Sequence, residues 1–141
     1  MFHAMKRFLM ILMTLGIVIA CEKSETSNQD ADRERLAEMR QEILDLINAV
    51  PCENAEDWRP QALGSKACGG PQEYVPYPEA ADESGELLDL IKEYTQLEAE
   101  YNKKYSAISD CMYVTSPTGV RCVDGKPEFF HMETTPSVVT E

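Results

Sequence analysis

Residues 52–78 read CENAEDWRPQALGSKACGGPQEYVPYP, and their reading decides the fold. Four prolines and three glycines rule out a long helix here, so the stretch must be built from extended pieces and turns. Residues 58–63, WRPQAL, suit a short strand, and Pro60 confines it to a sheet edge or a strand start. Residues 74–78, YVPYP, run extended for the same reason. Between them Gly69-Gly70-Pro71 makes a sharp turn, because glycine enters positive φ freely and proline holds the next φ near −65°. Successive glycine N–H groups can cradle an anion. No Lys-Ser/Thr pair follows and there is no third glycine, which excludes a P-loop and a dinucleotide fingerprint. A turn beside a disulfide is the simpler reading. Trp58, Tyr74 and Tyr77 are expected as a lid on a small core, with a partner surface as the alternative use of the same aromatics.

Helices flank this centre. Upstream, Leu36, Met39, Ile43, Leu44, Ile47 and Val50 form one apolar stripe at 3.6-residue period. The pattern predicts a helix over 30–50, capped by Asn28 or Asp30 and ended by Pro51. Arg33, Arg35, Arg40, Glu34, Glu38 and Glu42 give it a solvated charged face. Downstream, Leu87, Leu88, Ile91, Tyr94, Leu97, Tyr101, Tyr105 and Ile108 predict a helix over 84–106, interrupted on its apolar face only by Glu98. Asp82, Glu83 and Glu86 at its start and Lys103-Lys104 at its end both complement the helix dipole. Three tyrosines on the face suit packing inside the domain better than a coiled-coil seam. Residues 111–115 and 120–123, around Ser-Pro-Thr-Gly, predict a β-hairpin, with a second turn at 124–127 and a further strand at 128–131.

At the other end, residues 8–21, FLMILMTLGIVIAC, form an apolar run behind Lys6-Arg7. The 13 residues before Cys21 are too few to cross ~30 Å of hydrocarbon, which takes about 20. A basic start, a short apolar stretch and a small residue before a break are the marks of a signal peptide. Val18-Ile19-Ala20-Cys21 resembles a bacterial lipobox. The resemblance implies cleavage after Ala20 and lipidation of Cys21, and two or more acyl chains give stable anchoring. Residues 22–32, EKSETSNQDAD, contain nothing larger and apolar than alanine and are expected as a flexible tether of about 20 Å reach. The expected organisation is a signal over 1–20, lipidated Cys21 and tether over 21–33, a domain over 34–131, and a frayed tail over 132–141.

Five cysteines are an odd set, and assigning Cys21 to lipid leaves Cys52, Cys68, Cys111 and Cys122. Four thiols in a small exported domain read as two disulfides. Three pairings are open. A strand over 58–63 carries Cys52 and Cys68 apart at ~3.3 Å per residue, which leans toward Cys68–Cys111 with Cys52–Cys122. The wording Ser65-Lys66-Ala67-Cys68-Gly69-Gly70-Pro71, with Tyr74, Tyr77 and Ser109-Asp110-Cys111, is similar to a group of small exported bacterial proteins over about residues 52–127. That likeness implies a recurrent domain and no catalytic residue.

The net charge of −12 becomes −14 without Lys6 and Arg7, with 11 basic against 25 acidic residues. Such a surface repels nucleic acid and attracts basic partners. His131 is the one histidine beyond the signal, and the cysteine spacing holds no C-x-x-C, so neither a nucleophile–base pair nor a zinc site is expected. No cofactor is expected either.

The chain is therefore read as an α+β protein, two amphipathic helices packed on a short, mostly antiparallel, disulfide-stapled sheet. It is expected outside the cytoplasm, held through acylated Cys21 to a bacterial membrane, the outer one favoured. The expected role is non-enzymatic binding of a protein partner, in one form inhibition of a basic enzyme. A structural subunit of an envelope complex is the alternative, and a small hydrolase the remote one.

Overall fold

The computed structural model describes the backbone of residues 19–132, and the side chains of residue 26 and of 28–132. The chain divides after Arg35 into two units, and the core lies wholly in the second, Leu36–Glu141. Helix α1 runs Ile19–Asn48. A single 3-10 turn, Ala55–Asp57, leads into strand β1, Trp58–Leu63, which pairs antiparallel with β2, Glu73–Pro78. Helix α2 spans Glu86–Lys104, and strands β3, Gly119–Val123, and β4, Lys126–Phe130, form a second antiparallel pair. The fold is a small α+β domain of two helices, two two-stranded sheets and two disulfides, Cys52–Cys122 and Cys68–Cys111.

Two separate ladders take the place of one sheet, and proline explains the first boundary. Pro60 and Pro76 stand opposite each other in β1–β2. Neither has an N–H, so the pair fits only at a non-hydrogen-bonded position, with both rings turned to the outer edges. No third strand can bond there. Pro127, opposite Cys122, removes a donor from β4 in the same way. A lone hairpin is marginal in water, and here β3 packs against β1, β4 against β2, and α2 against β1.

Of the two turns expected in this region, the one across Ser-Pro-Thr-Gly joins no strands and the second, at 124–127, closes the hairpin. Val123 pairs with Lys126, leaving Asp124-Gly125 as a two-residue loop with φ of 50° and 75°. Positive φ at both positions matches the twist of the strands, which makes Asp-Gly the stronger hairpin signal. Residues 111–115 stay outside any strand, and Pro117 is buried ahead of β3.

The stretch expected as a tether, residues 22–32, lies inside α1. It holds no Gly or Pro, so nothing interrupts the helix once the amphipathic part has nucleated it. For the same reason Asn28 and Asp30 are interior residues and not caps. Residues 1–18, with most of the signal reading, and 133–141, with most of the tail, lie outside the described residues.

The core consists of Ile43 and Ile47 of α1, Leu87, Ile91 and Tyr94 of α2, Trp58, Leu63, Val75 and Tyr77 of the first hairpin, Val120, and Cys52. Ile43, Ile47, Leu63 and Ile91 are at most 2% exposed, and burying each side chain contributes about 1.5–3 kcal/mol. The α2 stripe runs out early. Ile108 lies past the helix end and is 98% exposed.

Candidate functional site

Three local structures gather the polar side chains of the domain. The first is a clamp. Helix α2 carries Thr95, Glu98 and Asn102 along one line at helical spacing, and all three seize the turn after β1. The Gly64 N–H donates to Thr95 Oγ1 (3.1 Å), the Ser65 N–H to Glu98 Oε2 (2.6 Å), and Asn102 Nδ2 to the Ser65 carbonyl (2.6 Å). Tyr94 Oη donates to the other Glu98 oxygen at 3.1 Å. Burial, then the Glu98 charge beside it, pushes the Tyr94 hydroxyl well above the ordinary tyrosine range, so it stays a donor. A Cβ on Gly64 would collide with Glu98 Oε2, and its φ of +75° already demands glycine. Glu98, the one break in the apolar pattern of α2, is thus the residue that fastens helix to loop.

The second is the outer end of that loop. Gly69 N–H donates to the Lys66 carbonyl and Lys66 N–H to the Gly70 carbonyl, both at 2.9 Å, so the turn closes on itself. The Gly69 N–H, one of the two an anion would use, is engaged in that closure. Lys66 Nζ donates to Asp110 Oδ1 (3.0 Å) and to the Met112 carbonyl (2.7 Å). The Lys66 hydrogen bond, followed by one from the Met112 N–H, holds the Asp110 carboxyl below the usual carboxylate range. Cys68–Cys111 closes the same junction covalently, with both residues exposed. Beside it lies an open, mostly polar groove of about 450 Å³, lined by Ser65, Lys66, Ala67, Gln72, Asn102, Ile108, Ser109 and Asp110.

The third lies at the far end, where α1 stops and α2 begins. Asp82 accepts from the Leu87 and Leu88 N–H groups (3.2 and 3.0 Å) and from Tyr77 Oη (2.8 Å). Partial burial works to raise the Asp82 carboxyl, but the hydrogen bonds from Tyr77 and from the backbone outweigh it and hold it below its ordinary 3.8. Burial, then the hydrogen bond to Asp82, pushes the Tyr77 hydroxyl up to about 12. Beside this cap runs a groove of about 450 Å³ lined by Leu46 of α1, Val50 just past it, Leu87 and Leu90 of α2, Pro78 and Ala81, with Glu42 and Glu86 also in its lining. A second groove of about 340 Å³ shares Val50, Pro78 and Ala81 with it and adds Glu53 and Asp57.

The predicted site residues divide accordingly. Trp58 and Tyr77 are 6% and 2% exposed and belong to the core, as a lid would; Tyr74, beside them, is half-buried. The flat aromatic ring needs cover on both faces, and Arg59 supplies one of Tyr77's, its guanidinium 5.4 Å from the ring centre. Cys52, Cys68, Cys111 and Cys122 pair as the strand argument leaned. Cys21 falls in α1, and its side chain lies outside those described. His131 is exposed past β4. Among the described residues no three His, Cys, Asp or Glu side chains gather as metal ligands. Sequence reading missed the Thr95–Glu98–Asn102 clamp, whose signal was a polar line on an otherwise apolar helix face. It missed Lys66 also, which nothing in one dimension connects to Asp110. Two disulfides mark an oxidising, extracytoplasmic location. No protein-family model, curated protein or solved structure matches the chain.

Proposed function

We propose that this chain is an exported lipoprotein whose stapled domain is a binding module, not an enzyme, at the bacterial envelope. Cys21 carries the lipid, and the domain engages a basic protein near the membrane, in one form as the inhibitor of a basic enzyme such as a lysozyme or a protease. The observation that carries the reading is the cysteine pairing. The two disulfides use four of the five cysteines, and Cys21, the fifth, stands in the lipobox-like Val18-Ile19-Ala20-Cys21. The net charge of −14 beyond Lys6 and Arg7 supports a basic partner, through steering and through complementarity at contact.

Metabolic labelling with an alkyne palmitate in a bacterial host tests the anchor. Wild type should carry label and sediment with membranes, and Cys21→Ala should lose both. Label retained in Cys21→Ala would sink the lipoprotein reading. For the inhibitor form, micromolar protein should slow lysozyme or a basic protease, and unchanged rates would remove it.

A further inference from the structure

We infer that the trough between the end of α1 and the start of α2 is the docking site for the basic partner, and that it takes a segment with an apolar side chain flanked by Lys or Arg. This inference rests on the basic-partner reading above and adds where and how that partner binds. The trough is lined by apolar and acidic side chains together. Leu46, 45% exposed on a folded surface, and partly buried Leu90 leave a cleft of about 450 Å³, within the ~300–1,000 Å³ of ligand-binding clefts. The adjoining 340 Å³ groove continues it past Val50, Pro78 and Ala81, giving room for a segment and not a single side chain.

Its charge is uncompensated. Glu42, Glu86, Glu53 and Asp57 line the two grooves, and no Lys or Arg does. None of the four has an ion pair among the described residues, while the cations nearest in sequence are engaged elsewhere. Arg40 is held by Glu73 (2.7 Å), Arg59 by Glu79 (2.6 Å) and Lys92 by Asp89 (2.8 Å).

The two helices show that this charge is not incidental. Helix α2 follows the dipole rule, with Glu86 and Asp89 in its first turn and Lys103 and Lys104 in its last. Helix α1 ends against the rule: its last turn has no basic residue and contains Asp45, one turn after Glu42. A carboxylate at the negative end of a helix works against folding, and a cation there would favour it. The positive end of α2 is already covered by the Asp82 carboxylate. What remains at the trough is negative potential from side chains and from α1 carbonyls together. A partner's Lys or Arg beside Glu42 and the α1 end supplies the missing cation, and its apolar side chain covers Leu46.

The test uses the full chain in detergent and two probes, an amphipathic Leu/Lys helical peptide and a Ser/Lys peptide of equal charge, with binding read by fluorescence anisotropy. The Leu/Lys peptide should bind at least tenfold more tightly than the Ser/Lys peptide. Leu46→Asp, and separately Glu42→Lys with Glu86→Lys, should each weaken it at least tenfold. All three positions are exposed, and an unchanged melting temperature and circular dichroism spectrum check that the fold survives. If both peptides bind equally and the variants change nothing, the trough is overturned while general attraction of basic partners stands. If neither peptide binds, the trough and the basic-partner reading fall together. Amide shifts on adding the Leu/Lys peptide should centre on Leu46, Val50 and Leu90, and a centre at the Cys68–Cys111 end would overturn the site on its own.

Discussion

The two disulfides close loops of comparable span at opposite places in the fold. Cys52–Cys122 spans 70 residues and sits in the core, with Cys52 3% exposed and its N–H donating to the Gly125 carbonyl at 2.9 Å. Cys68–Cys111 spans 43 residues at the surface, where the Lys66–Asp110 pair already bridges the same two segments. Chain entropy alone rates them nearly alike, at about 4 kcal/mol each. A measured difference between them therefore reports the native surroundings and not loop length. The inner bond ties β3 to the segment that links α1 to β1. The outer one ties a loop that α2 has already clamped through Thr95, Glu98 and Asn102.

Removing the inner bond should have the largest effect. Cys52→Ala with Cys122→Ala should lose about 5 kcal/mol in urea unfolding, the chain-entropy share plus roughly 1 kcal/mol for the void left in the core. A small domain has little more than that in all, so the variant should be largely unfolded at 37 °C. Next comes the outer bond. Cys68→Ser with Cys111→Ser should lose about 3 kcal/mol, because the clamp and the Lys66 bridge keep the loop partly ordered and nothing is emptied inside. Equal losses in the two variants would break the comparison and leave loop entropy as the sole account.

The smallest effect sharpens the same contrast at the acidic end, where a non-covalent tie does a similar job. Asp82 joins the end of β2 to the start of α2 through Tyr77 and two backbone N–H groups. Asp82→Asn keeps one acceptor and loses the charge, so it should lose about 1 kcal/mol at pH 7. The wild-type carboxyl sits below 3.8 in the folded state, so its stabilisation is fully present above that pH and is lost as pH falls through the folded value. The gap between wild type and Asp82→Asn should therefore close in acid. At the alkaline end the sign reverses. Tyr77 holds its proton up to about 12 when folded, so wild type should lose stability between pH 10 and 12, and Tyr77→Phe should lose less there. A gap independent of pH would show that Asp82 acts through shape alone.

Much of this was legible in one dimension. The stripe of Ile43 and Ile47, the apolar face of α2 and the proline-marked extended pieces at 58–63 and 74–78 each announce themselves by local period or by a missing N–H. The strand over 58–63 also leaned the cysteine pairing the right way, because an extended segment separates its two ends. The turn at 124–127 and the strand after it are likewise legible, and of the three expected strands only the one over 111–115 does not form, because Asp-Gly, with positive φ at both positions, is the turn that matches the strand twist. The polar run of residues 22–32 was expected to be coil, yet a run without helix breakers adopts helix when a neighbouring segment supplies the nucleus.

The sequence by itself determined the elements, the even set of four pairing cysteines and the acidic charge, because each depends on residue type and short spacing. The tertiary structure alone decided which polar groups meet. Glu98 reaching Ser65 across 33 positions and Lys66 reaching Asp110 across 44 are products of packing α2 on the first hairpin. So is the trough, where Leu46 and Leu90 line one cleft together and no Lys or Arg joins them. Contacts of that range have no local signature, because chain separation does not constrain them until the core has closed.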